Sequence, residues 1–182
     1  MKAVLIYDSL YGNTEKIAHA IADGLSGALG ASGSVDVAKV SDAHTDQLAG
    51  LPLLLIGGPT HGCRPSPAVH DFLNRIPQNA LAGVQVAAFD TRTDPDKLTG
   101  ATRVFAKILD RVGYAAAKIS SSLENKGGQV VKLPEGFIVL GTEGPLQDGE
   151  LERAADWGRQ IVSRKGEPQS STAQTAYWLL SQ

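Results

Sequence analysis

The stretch Leu5-Ile6-Tyr7-Asp8-Ser9-Leu10-Tyr11-Gly12-Asn13-Thr14-Glu15-Lys16-Ile17-Ala18 joins an apolar run, a polar turn and an amphipathic pattern. The apolar run, Ala3 to Tyr7, ends in hydroxyl, Gly and Asn residues, and Ile17, Ala18, Ile21, Ala22 and Leu25 then recur at helical spacing. This is a strand, a tight loop and a helix. The loop falls at a helix N-terminus, where unpaired backbone N–H groups and the macrodipole favour an anion. Ser9, Asn13 and Thr14 add side-chain donors, and Gly12 leaves the backbone uncovered for close approach by a ligand. A phosphate cradle is expected. No Lys directly follows Gly12, as a P-loop requires, and the loop lacks the three spaced glycines of a dinucleotide fingerprint. A phosphate would therefore be held by hydroxyl and amide groups with little added positive charge. An ordinary βα turn capped by Ser9 or Thr14 fits these residues equally well.

The chain has 182 residues, enough for one good core and short for two domains. Its apolar share of 42% and charged share of 20% are those of a globular protein. A formal net charge of −2 gives no sign of a nucleic-acid or anionic-membrane partner. The single cysteine excludes an internal disulfide framework and an all-cysteine metal site. No basic-then-apolar leader precedes the first strand, and no apolar run approaches the ~18 residues of a membrane span, so a cytoplasmic protein is expected.

Outward from the opening stretch, Val35–Val40 alternates and reads as a half-wet strand near an edge. Asp42 to Gly50 can hold a short helix. Leu51 to Gly57 is an apolar run typical of a central parallel strand, followed by a loop, Gly58-Pro59-Thr60-His61-Gly62-Cys63-Arg64-Pro65. Ser66 caps a helix with Pro67 at its first position, running to about Arg75. Gly83 to Phe89 is the next buried strand, leading into a loop over Asp90–Pro95, and a helix is expected over Ala101–Val112. Tyr114–Ser121 reads as a fifth strand, continued or re-entered by Phe137–Leu140, with a polar excursion, a candidate hairpin, over Leu123–Gly136. The last helix spans Gly149–Val162. Strands alternating with helices give an α/β fold with a parallel sheet, and ligands in such sheets sit beyond the carboxyl strand ends. The loops at 8–14, 57–65 and 90–95 are expected to converge there.

Several segments, in order, resemble the flavodoxin family. They are Ser9–Thr14, then Gly57-Gly58-Pro59-Thr60-His61-Gly62, then Phe89–Asp94, then Gly141-Thr142-Glu143-Gly144-Pro145-Leu146 with Gly149–Ala154 after it. The resemblance covers about residues 2–163. It implies a three-layer sandwich around a five-stranded parallel sheet in the order 2-1-3-4-5. It also implies non-covalent FMN as cofactor, with the phosphate held by Ser9, Leu10, Tyr11, Gly12, Asn13 and Thr14. Pro59, Thr60, His61 and Gly62 would line one side of the ring, and Thr91 and Arg92 the other. The implied function is electron transfer, as a carrier for a redox partner protein or as a reductase of a small acceptor such as a quinone. Two departures stand out. Asp90–Asp94 has no aromatic residue to stack on the ring, and Arg92 stands where the family usually keeps the region near flavin N1 acidic. Arg92 beside N1 would stabilise the anionic hydroquinone. As a solvated loop charge it would not. A flavodoxin-fold module that has lost FMN and serves in binding or assembly is the alternative.

No general acid, base or nucleophile emerges. Cys63 lacks an evident partner, His70 and Asp71 are helix neighbours that point apart, and the histidines at 19, 44, 61 and 70 lack metal-ligand spacing. A receiver domain would need an acidic pair after strand one and an Asp ending strand three, and Asp8 stands alone with Gly57-Gly58 at the later position. The domain is expected over 1–163. Ser163–Thr175 is linker-like, and Ala176-Tyr177-Trp178-Leu179-Leu180 forms an apolar tail expected to dock on the body or a second subunit, allowing a homodimer.

Overall fold

A computed structural model describes residues 1–93 and 114–163. The helix expected over Ala101–Val112 and the C-terminal tail lie outside the described residues. Strand β1 (Lys2–Tyr7) leads to helix α1 (Asn13–Leu29), and β2 (Ser34–Lys39) to β3 (Leu53–His61). A short β4 (Arg64–Pro65), helix α2 (Pro67–Arg75) and β5 (Gln85–Thr93) follow. Helix α3 (Ala115–Asn125), the short β6 (Gln129–Val130), β7 (Glu135–Val139) and α4 (Glu150–Ser163) complete the described chain. Pairing is parallel along β2-β1-β3-β5, with β6 and β7 sharing the place beyond β5. The expected 2-1-3-4-5 order is thus the observed one, its fifth position being filled by two short strands.

Period-two alternation divides the core. Ala3, Leu5, Leu53, Leu55, Ala87, Phe89 and Phe137 pack under α1 and α4. Ile6, Leu54, Ile56, Val86 and Ala88 meet Val69, Phe72, Ile119 and Leu123 of α2 and α3 on the other face. Leu53–Ile56 is buried throughout, as the continuous apolar run predicts. α2 starts as expected, with Ser66 Oγ accepting from the Val69 N–H and Pro67 in the first turn.

Three expectations are corrected. Tyr114–Ser121 is not a strand, because Ala115, Ala116, Ile119, Ser120 and Leu123 of α3 are buried at helical spacing. Leu123–Gly136 is not a hairpin, since β6 and β7 both run parallel to β5. Between Gln85↔Gln129 and Phe89↔Glu135, four steps along β5 face six along its neighbour. The excess forms a bulge at Val131–Pro134, where a proline is tolerated because no ladder N–H is needed. The loop after the third strand is shorter than expected. β3 continues to His61 and turns back through Gly62 and Cys63, at φ 51° and 66°, to pair antiparallel with β4. The segment Asp42–Gly50 holds a single 3₁₀ turn, Thr45–Gln47.

The outer edge of β7 is closed by side chains of α4. The Ile138 N–H donates to Glu150 Oε2 at 2.8 Å, and Arg153 donates to the Gly136 carbonyl and to Glu150. The Gln147 N–H then donates to the Ile138 carbonyl, and the Leu140 N–H to the Pro145 carbonyl. Glu150→Ala removes the first of these acceptors and leaves Arg153 only its contacts with Glu135 and the Gly136 carbonyl. It is expected to cost about 1–3 kcal/mol and, by opening an unpaired edge, to promote self-association. Urea unfolding and sedimentation velocity would show both effects, and a monomer of unchanged stability would contradict the account.

Helices α1 and α4 pack backbone to backbone. A Cβ on Gly24 would collide with the Ala155 carbonyl, and one on Gly158 with the Ile21 carbonyl, whereas Gly27 of the same helix α1 faces open space. Gly24→Ala is therefore expected to destabilise by about 1–3 kcal/mol. Gly27→Ala should stabilise by about 0.5–1 kcal/mol through the lower entropy cost of alanine. Thermal melts of the two variants should move in opposite directions.

Candidate functional site

The pairings Tyr7↔Gly57 and Gly57↔Phe89 bring the carboxyl ends of β1, β3 and β5 level. The Asp8 N–H continues the ladder by donating to the Gly57 carbonyl at 3.1 Å, and the chain then turns into α1. Gly12 sits at the helix N-cap in the left-handed region, φ 80°, with no atom near the position a Cβ would take. No side chain caps α1 at this residue. Ser9 Oγ instead accepts from the Glu15 N–H at 3.2 Å. Asn13 and Thr14 open the helix, where backbone N–H groups have no intrahelical acceptor.

Both of these side chains are buried and tied to distant chain. Asn13 Nδ2 donates to the Glu143 carbonyl at 2.9 Å, which fastens the loop after β7 to the cradle. The Thr14 and Thr91 hydroxyl oxygens lie 2.8 Å apart. Behind the cradle, the Tyr7 hydroxyl donates to Glu15 Oε1 at 2.8 Å. Burial, reinforced by that carboxylate, pushes the Tyr7 hydroxyl up to about 12, and the same bond holds Glu15 below the usual carboxylate range.

A cleft of about 200 Å³ opens at the strand ends. Of the residues singled out in the sequence, Ser9, Leu10, Tyr11, Asn13, Thr14, Pro59, Thr60, His61, Thr91 and Arg92 line it. Gly12 and Gly62 are outside the lining and act on the backbone, one at the α1 N-cap and one in the β3–β4 turn. Thr93, Val139, Gly141 and Thr142 also line the cleft and were missed. Gly141-Thr142 stood out in sequence only as a family-like ending. Their place at the rim depends on β7 pairing beside β5.

Asp90 was expected on a polar loop. It lies inside β5 and is wholly buried. It accepts from Arg92 Nε at 2.6 Å and from the Ala116 N–H at 2.8 Å, and so caps the first turn of α3 from the sheet. Burial pushes the Asp90 carboxyl up, opposed by Arg92, by the Ala116 N–H and by the nearby Thr60 hydroxyl. The Arg92 guanidinium lies over the Tyr114 ring, 4.0 Å from its centroid, and a Cβ on Gly136 would collide with it. Arg92 reaches the cleft margin, but its Nε is committed to Asp90. Its side chain is 18% exposed, so it is not a solvated loop charge.

Cys63 is half-buried in the hairpin turn. His70 and Asp71 approach only to 3.6 Å on an exposed face, and the His70 ring makes its hydrogen bond with Asn74. Among the described residues no cluster of His, Cys, Asp and Glu could hold a metal, and no helix is long and apolar enough to cross a membrane.

The Flavodoxin family model matches residues 5–157. The chain belongs to the flavodoxin family. Flavin-based electron transfer is the general chemistry of this family. Among solved structures, oxidised flavodoxin 1 from Bacillus cereus has 19% identity and a TM-score of 0.68, covering 91% of this chain and 100% of its own. A flavodoxin from the domain Archaea has 20% identity and a TM-score of 0.66, covering 90% and 98%. Rubredoxin:oxygen oxidoreductase from Desulfovibrio gigas has 18% identity and a TM-score of 0.64, covering 88% of this chain but 35% of its own. Comparison with curated protein sequences gave no match.

The buried ion pair makes a prediction. Arg92→Ala leaves Asp90 buried without its counter-charge and should cost about 3–5 kcal/mol. A carboxyl whose folded pKa is raised binds its proton more tightly folded than unfolded. Its contribution to stability therefore falls as pH rises from the ordinary carboxylate value through the raised one. The Arg92→Ala deficit should accordingly shrink in acid and widen towards neutral pH. Asp90→Asn combined with Arg92→Ala should recover much of the loss and flatten that slope. Urea unfolding at about pH 5 and about pH 8 separates these cases, and a deficit independent of pH would count against the pair.

Proposed function

We propose that the cleft binds FMN and that the protein transfers electrons, either as a carrier between redox proteins or to a small acceptor such as a quinone. The observation that carries this is the convergence of three strand-end segments on one cleft, with the cradle of α1 at one end. The donor set fits a phosphate dianion at a helix N-terminus. Gly12 leaves open space, the Asn13 and Thr14 N–H groups have no acceptor within the helix, and hydroxyl and amide side chains surround them. The buried Thr60 hydroxyl lies near the Asp90 carboxyl but, among the described residues, forms no hydrogen bond within normal limits, which leaves its proton for an acceptor on a bound ligand.

Ser9, Leu10, Tyr11, Asn13 and Thr14 would surround the phosphate, with Gly12 shaping their backbone. Pro59, Thr60 and His61 would flank the ring, together with the rim residues Thr93, Gly141 and Thr142, while Thr91, 2.8 Å from the Thr14 hydroxyl, would stand behind the phosphate end. When bound, the flavin supplies the electron chemistry, and the protein supplies binding, orientation and control of potential. Because Arg92 is already neutralised by Asp90, it supplies less free positive charge to the ring than its sequence position promises. A net charge of −2 favours a small acceptor over docking on a strongly basic partner. A cytoplasmic location fits the same picture.

The FMN-free alternative is favoured by one observation. Tyr11 and His61 are the only flat side chains in the described lining, and the Tyr114 ring is covered by Arg92. An absorption spectrum after FMN addition and desalting decides between the two. Bands near about 375 and about 450 nm that persist support FMN, the positions being those of flavins in general. A colourless protein leaves the flavin-free module.

A further inference from the structure

The pair of buried hydroxyls at the base of the cleft bears on how the cradle recognises an anion. Thr14 and Thr91 are 2% and 5% exposed, and their oxygens are 2.8 Å apart across 77 residues of sequence. Each hydroxyl has one proton and two lone pairs. One proton is used between the two oxygens, and the other is free to point elsewhere. Thr14 belongs to the first turn of α1, beside N–H groups without intrahelical acceptors and at the positive end of the helix. An anion there offers only acceptors, so a hydroxyl facing it has to donate. Thr14 does so only if Thr91 meets its lone pair.

Resting on the FMN reading, we propose that Thr91 is a positioning residue whose hydroxyl donates to Thr14 Oγ1 and so turns the Thr14 proton towards the cofactor phosphate. Thr91 acts through Thr14. The strand holds it in place for this role. Thr91 pairs with Pro59 on one side and Phe137 on the other, and shares the α1-facing side of β5 with Phe89. Its branched Cβ restricts χ1, so the hydroxyl is held in position before a ligand arrives. A chain of donors running Thr91, Thr14, phosphate also polarises each bond in the same sense.

FMN and riboflavin differ by the phosphate alone, so titrating both isolates the cradle from the ring site. Thr91→Val is expected to weaken FMN about tenfold while changing riboflavin less than about twofold. Thr91→Ser should restore the wild-type ratio of the two affinities. In a Thr14→Val background, Thr91→Val should add nothing to the loss of FMN affinity, because the bond it supports is already gone. Thr91→Ala repeats the hydroxyl loss with a smaller side chain and serves if Thr91→Val does not fold, as judged by melting temperature. A wild-type protein that binds neither flavin removes the FMN reading itself. A wild-type protein that binds FMN overturns the positioning role under any of three outcomes. Riboflavin binds as tightly as FMN, Thr91→Val lowers both flavins alike or neither, or its effect adds in full to that of Thr14→Val.

Discussion

Parallel strand pairing governs the rest of this molecule. Strands joined by crossover helices all run the same way, so their carboxyl ends open on one edge of the sheet while helices cover both faces. β3 is the centre of that arrangement. Its Leu53–Ile56 segment is buried on both sides, and Gly57 and Gly58 follow where side chains cannot fit. A Cβ on Gly57 would collide with the Phe89 ring, and one on Gly58 would come within 2.9 Å of Val69. With bulk excluded there, Phe89 packs across β3 and the helices settle close above and below. The carboxyl ends of β3 and β5 and the segments that follow β1 and β7 then meet at one cleft because the ladder leaves them at the same level.

Charge is handled differently at the two ends of that cleft. The cradle relies on neutral groups ordered by hydrogen bonds: Ser9 Oγ accepts from the Glu15 N–H, Asn13 Nδ2 donates to the Glu143 carbonyl, and the Thr14 and Thr91 hydroxyls pair. Such groups are ordered in advance, and ordering lowers what a ligand has to overcome on binding. At the other margin, Asp90 and Arg92 neutralise one another inside the wall, and the aromatic face of Tyr114 takes part of the guanidinium. That pair joins β5 to the start of α3 and to β7. It therefore fixes the start of α3 against β5, and its influence on the cleft runs through shape more than through field.

The two outer strands end the sheet by different means. β2 is half-wet and carries Asp36 and Lys39 outward, with Lys2 paired to Asp36 at 3.0 Å. Charges on an edge strand discourage pairing with another chain. β7 is more apolar, and its edge is instead occupied by Glu150 and Arg153 and then by the backbone of Pro145–Gln147. Arg153 also lies over the Phe137 ring, 4.5 Å from the centroid, so one side chain covers both the edge and the core beneath it. Closing β7 in this way also leads the chain back past Asn13, where Glu143 completes the cradle.

By itself the sequence determined what is local or periodic. The strand–loop–helix at Ala3–Leu25, the doubly buried run at Leu53–Ile56 and the capped start of α2 rest on spacing and capping chemistry that neighbouring residues supply. Ten of the residues singled out as a site come together because the order of alternating elements fixes which strand ends are adjacent. Where local signals were ambiguous, tertiary structure decided. Tyr114–Ser121 is apolar enough for strand or helix, and packing against the β3–β5 face selects the helix. Asp90 reads as a loop carboxylate until Arg92 and the Ala116 N–H, 26 residues away, make its burial tolerable. The Thr14–Thr91 and Asn13–Glu143 contacts join residues 77 and 130 positions apart. No periodicity encodes such contacts, because they exist only once the sheet has brought its ends together.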